Sequence, residues 1–113
     1  MIGGELESSG ARTNVVEVYN VSSDSWSSLA LMPTARECDV ALINDKIYAF
    51  GGYDGSNALI NVEIYNIEND SWSTANNMPY ALSSYHLASF ENFVFLFGDY
   101  SEHIDEVNMY NAN

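Results

Sequence analysis

Apolar and polar residues along this chain change places every second position or gather in short runs. Val62-Glu63-Ile64-Tyr65 alternates, while Ala41-Leu42-Ile43, Ile47-Tyr48-Ala49-Phe50 and Phe93-Val94-Phe95-Leu96-Phe97 are continuous apolar stretches. A period of two, or a short run rich in β-branched and aromatic side chains, predicts strands. Asn44-Asp45, Asp54-Gly55-Ser56-Asn57, Glu68-Asn69-Asp70 and Glu91-Asn92 supply turn chemistry between them, too closely spaced for a helix of ordinary length to intervene. The best-defined stretch predicts four strands, near Asp39 to Ile43, Lys46 to Gly51, Val62 to Asn66 and Trp72 to Ala75. The first two are joined at Asn44-Asp45, a two-residue hairpin turn in which both residues accept positive φ.

The pattern recurs. Val16 to Trp26 reads VEVYNVSSDSW, Val62 to Trp72 reads VEIYNIENDSW, and Val107 to Asn113 reads VNMYNAN. Tyr19, Tyr65 and Tyr110 lie 46 and 45 residues apart, and Trp26 to Trp72 and Met32-Pro33 to Met78-Pro79 keep the interval of 46. A repeat of roughly 40 to 50 residues belongs to propeller blades or to paired-helix solenoids. The strand pattern rejects the solenoids, and four antiparallel strands per repeat make a blade. Gly51-Gly52 closes the second strand of the blade, where missing side chains let neighbouring backbones approach near the axis. Tyr65 and Trp72 are expected between blades.

The outer copies depart from the middle one. Met1-Ile2-Gly3-Gly4 reads as the end of a second strand, and the third copy has Gly98-Asp99 in place of the diglycine and one extra residue after Pro79. The expected units are a blade remnant over about 1–32, a complete blade over about 33–78 and a degenerate, truncated blade over about 79–113. Nine strands result, little more than two blades, whereas propellers close at about 4 to 8. The sequence therefore reads as a fragment of a longer protein, to be closed by the remaining blades or by self-association into a ring.

Composition narrows the partners. Sixteen acidic residues against three basic ones give a formal net charge of −13, which repels a phosphate backbone and an anionic membrane surface. Neither nucleic acid nor membrane is an expected partner. Cys38 is the only cysteine, so no internal disulfide forms and a cytoplasmic location is expected. The opening residues lack a basic segment followed by an apolar core, and no stretch approaches the roughly 18 apolar residues of a membrane span.

Candidates for chemistry are few. Cys38 lies between Glu37 and Asp39, which favour the thiol over the thiolate, and is expected to be inert. His86 is expected to pack on its strand and His103 to be solvated in the acidic Ser101-Glu102-His103-Ile104-Asp105-Glu106 loop. Asp54-Gly55-Ser56-Asn57 lacks the rest of a calcium loop. No metal site, cofactor or catalytic residue is expected, and the protein reads as a non-enzyme.

The string FGGYDGSNALINVEIYNIENDSW from Phe50 to Trp72 joins a diglycine, a loop, and a Tyr six residues before a Trp, and resembles the kelch repeat. GGYDG from Gly51 to Gly55, preceded by the Arg of MPTAR from Met32 to Arg36, more narrowly resembles the kelch domains of BTB-kelch proteins. The resemblance implies an all-β fold, a kelch-type β-propeller fragment, and a non-enzymatic protein-interaction module like the substrate-recognition half of a BTB-kelch adaptor for cullin-type ubiquitin ligases. Its partner is then another protein, such as a ubiquitination substrate. Two other readings remain open: an actin-binding kelch scaffold, and a propeller oxidase, isomerase or specifier whose axial site lies in other blades.

The resemblance also implies which rim meets the partner, namely the one formed by the loops after the second and fourth strands of each blade. Those positions are Arg36, Glu37, Tyr53, Asp54, Ser83 and Tyr100. Tyr and Arg often anchor interfaces. For Arg36 an ion pair with a neighbouring acid competes with the rim role.

Overall fold

The computed structural model describes residues 1–98 and 107–112. Its strands are β1 (Glu17–Asn20), β2 (Ser25–Ser28), β3 (Glu37–Ile43), β4 (Lys46–Tyr53), β5 (Val62–Asn66), β6 (Ser71–Thr74), β7 (His86–Phe90), β8 (Phe93–Phe97) and β9 (Val107–Asn111). They form three antiparallel sheets, β1-β2, β3-β4-β5-β6 and β7-β8-β9, each in sequence order. The fold is all-β, as a kelch-type propeller fragment requires. β4 runs two residues past the expected Gly51, because Tyr53 still pairs with Glu37 and bridges Ala58. The β3–β4 turn has φ of 49° at Asn44 and 61° at Asp45, the left-handed geometry those residue types tolerate.

The repeat is reproduced bond for bond. Gly3 N–H donates to Val15 O (2.9 Å) as Gly51 N–H donates to Asn61 O (2.8 Å), and Met32 N–H reaches Asn14 O as Met78 N–H reaches Ile60 O, both at 2.9 Å. Ile2 bridges Val16 where Phe50 pairs with Val62. Met1 to Gly4 thus takes the place of the end of a second strand, as the sequence suggests.

Alternation along the middle sheet gives it two apolar faces. Ala41, Ile43, Tyr48, Phe50 and Val62 pack on one side against Val94 and Leu96 of the third sheet, with Met78 and Leu82 between. Ala49 packs on the other side with Val16 and Met32, and Trp72 closes that smaller core. Each fully buried residue of this size contributes about 1.5–3 kcal/mol, so the two faces, rather than any single sheet, hold the stack together.

The diglycine sets how closely consecutive sheets meet. Gly51 has φ +46° and Gly52 φ +92°; a Cβ on Gly51 would lie 2.9 Å from the Leu82 carbonyl oxygen of the chain leading into the next sheet, and one on Gly52 would lie 2.0 Å from the Glu37 carbonyl oxygen on β3 of the same sheet. Across the joint, Gly52 N–H donates to Leu82 O (2.8 Å), and one repeat earlier Gly4 N–H donates to Arg36 O (2.9 Å). The chain leading into each sheet is thereby hydrogen-bonded to the glycines of the sheet before it.

Tyr65 and Trp72 pack with their rings tilted by 46° and centroids 5.2 Å apart, and the indole N–H donates to Ala30 O (2.9 Å) on the first sheet's side. Tyr19 and Trp26 keep the same 5.2 Å pairing, yet Trp26 is 63% exposed. Trp72 thus packs between sheets as expected, whereas among the described residues no sheet covers the outer side of β1 and β2, where Trp26 lies. Asp70 clips the same joint: one carboxylate oxygen accepts Ala30 N–H (2.8 Å) and Tyr65 O–H (2.7 Å). The Ala30 N–H first, then the Tyr65 hydroxyl, hold the Asp70 carboxyl below the usual range. Burial, aided by Asp70, pushes Tyr65 up to about 12.

Two predictions arise from these joints. In urea denaturation, Gly51→Ala, whose Cβ would meet the Leu59 and Leu82 carbonyl oxygens, is expected to cost more than about 2 kcal/mol through clash and backbone strain; Gly55→Ala, with φ +103° and open space around it, should cost only strain of about 1–2 kcal/mol. Equal losses would show that the close approach is not limiting. The second concerns pH. Because the folded Asp70 pKa lies below its unfolded value of about 3.9, its stabilisation is present above that value and fades as pH falls through the folded pKa. Near-ultraviolet circular dichroism should show the Trp72 environment loosening in this acid window, and Asp70→Asn should remove that step.

Candidate functional site

Antiparallel connectivity places the hairpin turns β3–β4 and β7–β8 on one rim, where Asn44 Nδ2 donates to Asn92 Oδ1 (2.9 Å). The loops after β2, β4 and β6 gather on the opposite rim, and there a groove opens. Arg12, Glu37, Tyr53, Ser83 and Ser84 line a hollow of about 290 Å³. It continues into one of about 200 Å³ lined by Glu37, Cys38, Asp39, Gly52, Tyr53, Ser84 and Tyr85. Of the residues expected on the rim, Glu37, Tyr53 and Ser83 are brought together here. Tyr100 lies outside the described residues.

Asp54 is on this rim but has a local task. Its Oδ1 accepts Ser56 N–H (2.8 Å) and Asn57 N–H (2.7 Å), closing the Asp-Gly-Ser-Asn turn, and the Asn57 and Ser56 amides hold its carboxyl below the ordinary value. It lines neither hollow.

Arg36 is a correction. The residue expected on the partner rim is fully buried, with 0% exposure. Its guanidinium donates to Gly51 O (3.0 Å), Asn61 O (3.3 Å) and Glu63 Oε2 (2.9 Å), and Thr34 Oγ1 donates to the other Glu63 oxygen (2.6 Å). Of the two roles weighed for Arg36, the ion pair is the one the fold uses. The physical reason lies in the repeat: Arg36 N–H donates to Thr13 O as Leu82 N–H donates to Leu59 O, both at 3.2 Å, so Arg36 fills an inward position that is apolar one repeat later. Glu63 likewise corresponds to Asn108, which accepts the Tyr80 hydroxyl (2.7 Å) where Glu63 accepts that of Thr34. One joint is charged and the next neutral, on the same backbone.

Arg12 is the residue that sequence reasoning missed. It sits in the first loop after a glycine pair, donates from Nη1 to Gly10 O (2.7 Å), and makes ion-pair contacts with Glu37 (2.9 Å) and Glu5 (3.5 Å). Its guanidinium carbon stands 5.0 Å from the centre of the Tyr53 ring. The signal was present: with Arg36 buried and Lys46 on the hairpin rim, Arg12 is the one basic side chain left for the loop rim among the three in the sequence. A half-exposed pair of this type contributes up to about 1 kcal/mol, enough to fix the Glu37 and Tyr53 side chains.

Ser84 has φ +53° and marks the extra residue of the third repeat. Leu82 corresponds to Arg36, yet His86 pairs with Phe97 where Asp39 pairs with Phe50, so the insertion falls between Leu82 and His86, in the groove wall. Tyr85 is buried beside it; its hydroxyl donates to the Phe50 carbonyl and accepts Asp39 N–H (3.1 Å). Cys38 forms part of the floor, and burial pushes its thiol up to about 11, with Arg36 opposing and Asp39 and Glu63 adding to the rise. That matches the expected inert thiol, although burial outweighs the flanking acids. His86 lies exposed against Phe97, with ring centroids 6.3 Å apart.

The stack of antiparallel sheets, the middle one a full four-strand unit, joined at glycine pairs and carrying its irregular loops on one rim, defines a propeller-blade repeat protein. Residues 35–79 match the family model described as Kelch motif. The chain is a kelch-repeat protein. It is 32% identical over 100 residues to Kelch repeat and BTB domain-containing protein 2 of horsepox virus and 31% identical over 100 residues to the cowpox virus protein of that name, covering 86% of this chain in each case. It is 41% identical over 51 residues to human Kelch-like protein 5, covering 44% of this chain and 7% of that protein. The chain spans 18% of the length of the two poxvirus relatives.

The charged joint generates a test. Arg36→Ala or Glu63→Ala alone is expected to cost about 3–5 kcal/mol by stranding a buried charge. The double change Arg36→Leu with Glu63→Asn, which copies the next joint, should recover most of that loss. Chemical denaturation of the three variants measures it, and a double variant no better than either single one would refute the equivalence of the joints.

Proposed function

We propose that this chain is a non-enzymatic protein-interaction module whose partner docks on the loop rim. The observation that carries the reading is the groove in which Arg12 and Ser83 from two separate loops converge with Glu37 and Tyr53 at the paired ends of β3 and β4, on a scaffold fixed by glycine contacts. Such loops can vary while the sheets hold them in place, and binding residues concentrate there. Tyr53 and Arg12 are of the types that anchor interfaces. The similarity to Kelch repeat and BTB domain-containing proteins supports a finer reading, in which the module selects a protein for ubiquitination within a larger adaptor.

Calorimetric titration against a partner recovered by affinity capture tests the rim. Tyr53→Ala and Glu37→Ala should each weaken binding by about 1–3 kcal/mol while leaving the thermal midpoint nearly unchanged, and Asp45→Ala on the hairpin rim should leave affinity alone. Losses confined to Asp45→Ala would reject the docking face. For the finer reading, Tyr53→Ala in the polypeptide that carries these residues should lengthen the half-life of the partner in cells; an unaltered half-life with weakened binding would leave an interaction module without the degradative role.

A further inference from the structure

We infer that the smaller hollow of the groove, between Glu37 and Asp39, receives one basic side chain of the partner, an arginine in an otherwise extended segment. This deepens the proposed docking rim and rests on it. Pockets for whole small-molecule ligands measure about 300–1,000 Å³, whereas this one holds about 200 Å³, the scale of a single side-chain end. Glu37 and Asp39 both line it. Among the described residues no cation pairs with Asp39, and Glu37 meets Arg12 through Oε2 only. The remaining wall is Cys38, Gly52, Ser84 and the two aromatic residues Tyr53 and Tyr85.

The same wall already holds one guanidinium. Arg12 stands over Tyr53 and against Glu37 at 2.9 Å, so an aromatic face beside a carboxylate is shown here to seat that group. Its charge is matched by Glu5 and Glu37, which leaves Asp39 to set the sign of the neighbouring hollow. Arg12 is then a positioning residue that fixes Glu37 and Tyr53 for the incoming side chain. A guanidinium fits better than an ammonium, because its planar fork donates to two acceptors at once and its flat face lies on a ring. A calcium ion needs six to eight oxygens, more than two carboxylates supply.

The test uses the full chain and the probe peptide acetyl-Gly-Arg-Gly-amide, followed by amide NMR shifts at Gly52 and Asp39. Saturable shifts are expected with this peptide, several-fold weaker ones with the lysine peptide, and none with the citrulline peptide, which keeps the shape and loses the charge. Asp39→Asn should weaken the arginine peptide by about fivefold, the scale of a partly exposed ion pair. Among the described residues its side chain makes no hydrogen bond or ion pair, so the variant remains informative even if Glu37→Gln perturbs Arg12. Equal shifts from the citrulline peptide, stronger binding of a glutamate peptide, calcium shifts at the same amides, or an unchanged affinity in Asp39→Asn would each overturn the inference. If rim variants abolish partner binding while Asp39→Asn does not affect the arginine peptide, the docking rim stands and the basic-side-chain assignment falls.

Discussion

Everything in this stack depends on how closely the end of one second strand approaches the chain leading into the next sheet. At Gly51 that distance leaves no room for a Cβ, which would lie 2.9 Å from the Leu82 carbonyl oxygen, and the amide of Gly52 hydrogen-bonds across the gap to the same oxygen. The contact is local and backbone-borne, so it fixes the spacing between sheets without asking for particular side chains around it. The apolar faces then meet at a separation already set, and the residues that fill them can differ between joints. In a repeat architecture of this kind each unit touches only its neighbours, and the glycine contact is the element common to both joints described.

What fills the joints illustrates that freedom. The first carries a buried guanidinium bonded to backbone carbonyls and to Glu63; the second carries Leu82, with Asn108 in the acid's place. A buried ion pair gains little over apolar packing of the same volume, but it penalises any arrangement that separates its members. The charged joint therefore adds selectivity of assembly more than strength. The hydroxyl that accompanies it, Thr34 in one repeat and Tyr80 in the other, survives the change because the acid and the amide both present an acceptor oxygen.

Much of this was legible in the sequence. Strand positions followed from alternation, the hairpin from Asn44-Asp45, and the blade from four strands per repeat, because those features express the backbone geometry directly. The site was less legible. Tyr53, Glu37 and Ser83, expected on the rim, line the groove, but the family resemblance that points to them also puts Arg36 outward; its register with Leu82 and the mid-strand position of Glu63 decide for the competing ion pair. Arg12 is not marked by the sequence because Glu37, the nearer of its ionic partners, lies on β3 one repeat further on, a proximity that the linear order does not display. Trp26 shows the limit of equivalence, since closely similar local sequence and the same Tyr pairing leave one indole exposed and the other half-buried when, among the described residues, only Trp72 has a neighbouring sheet.

The extra residue at Ser83-Ser84 bears on how such a chain can change. Within the sheets a single insertion reverses the side-chain alternation and turns a core face outward. In the groove wall the same insertion is absorbed by one left-handed residue, Ser84, and the strand that follows returns to register with His86 opposite Phe97. Chain length is thus free to drift at the place where a partner would be discriminated, and constrained where the sheets meet. Duplicated units of common descent can acquire new recognition by gaining or losing residues there, without passing through an unfolded ancestor.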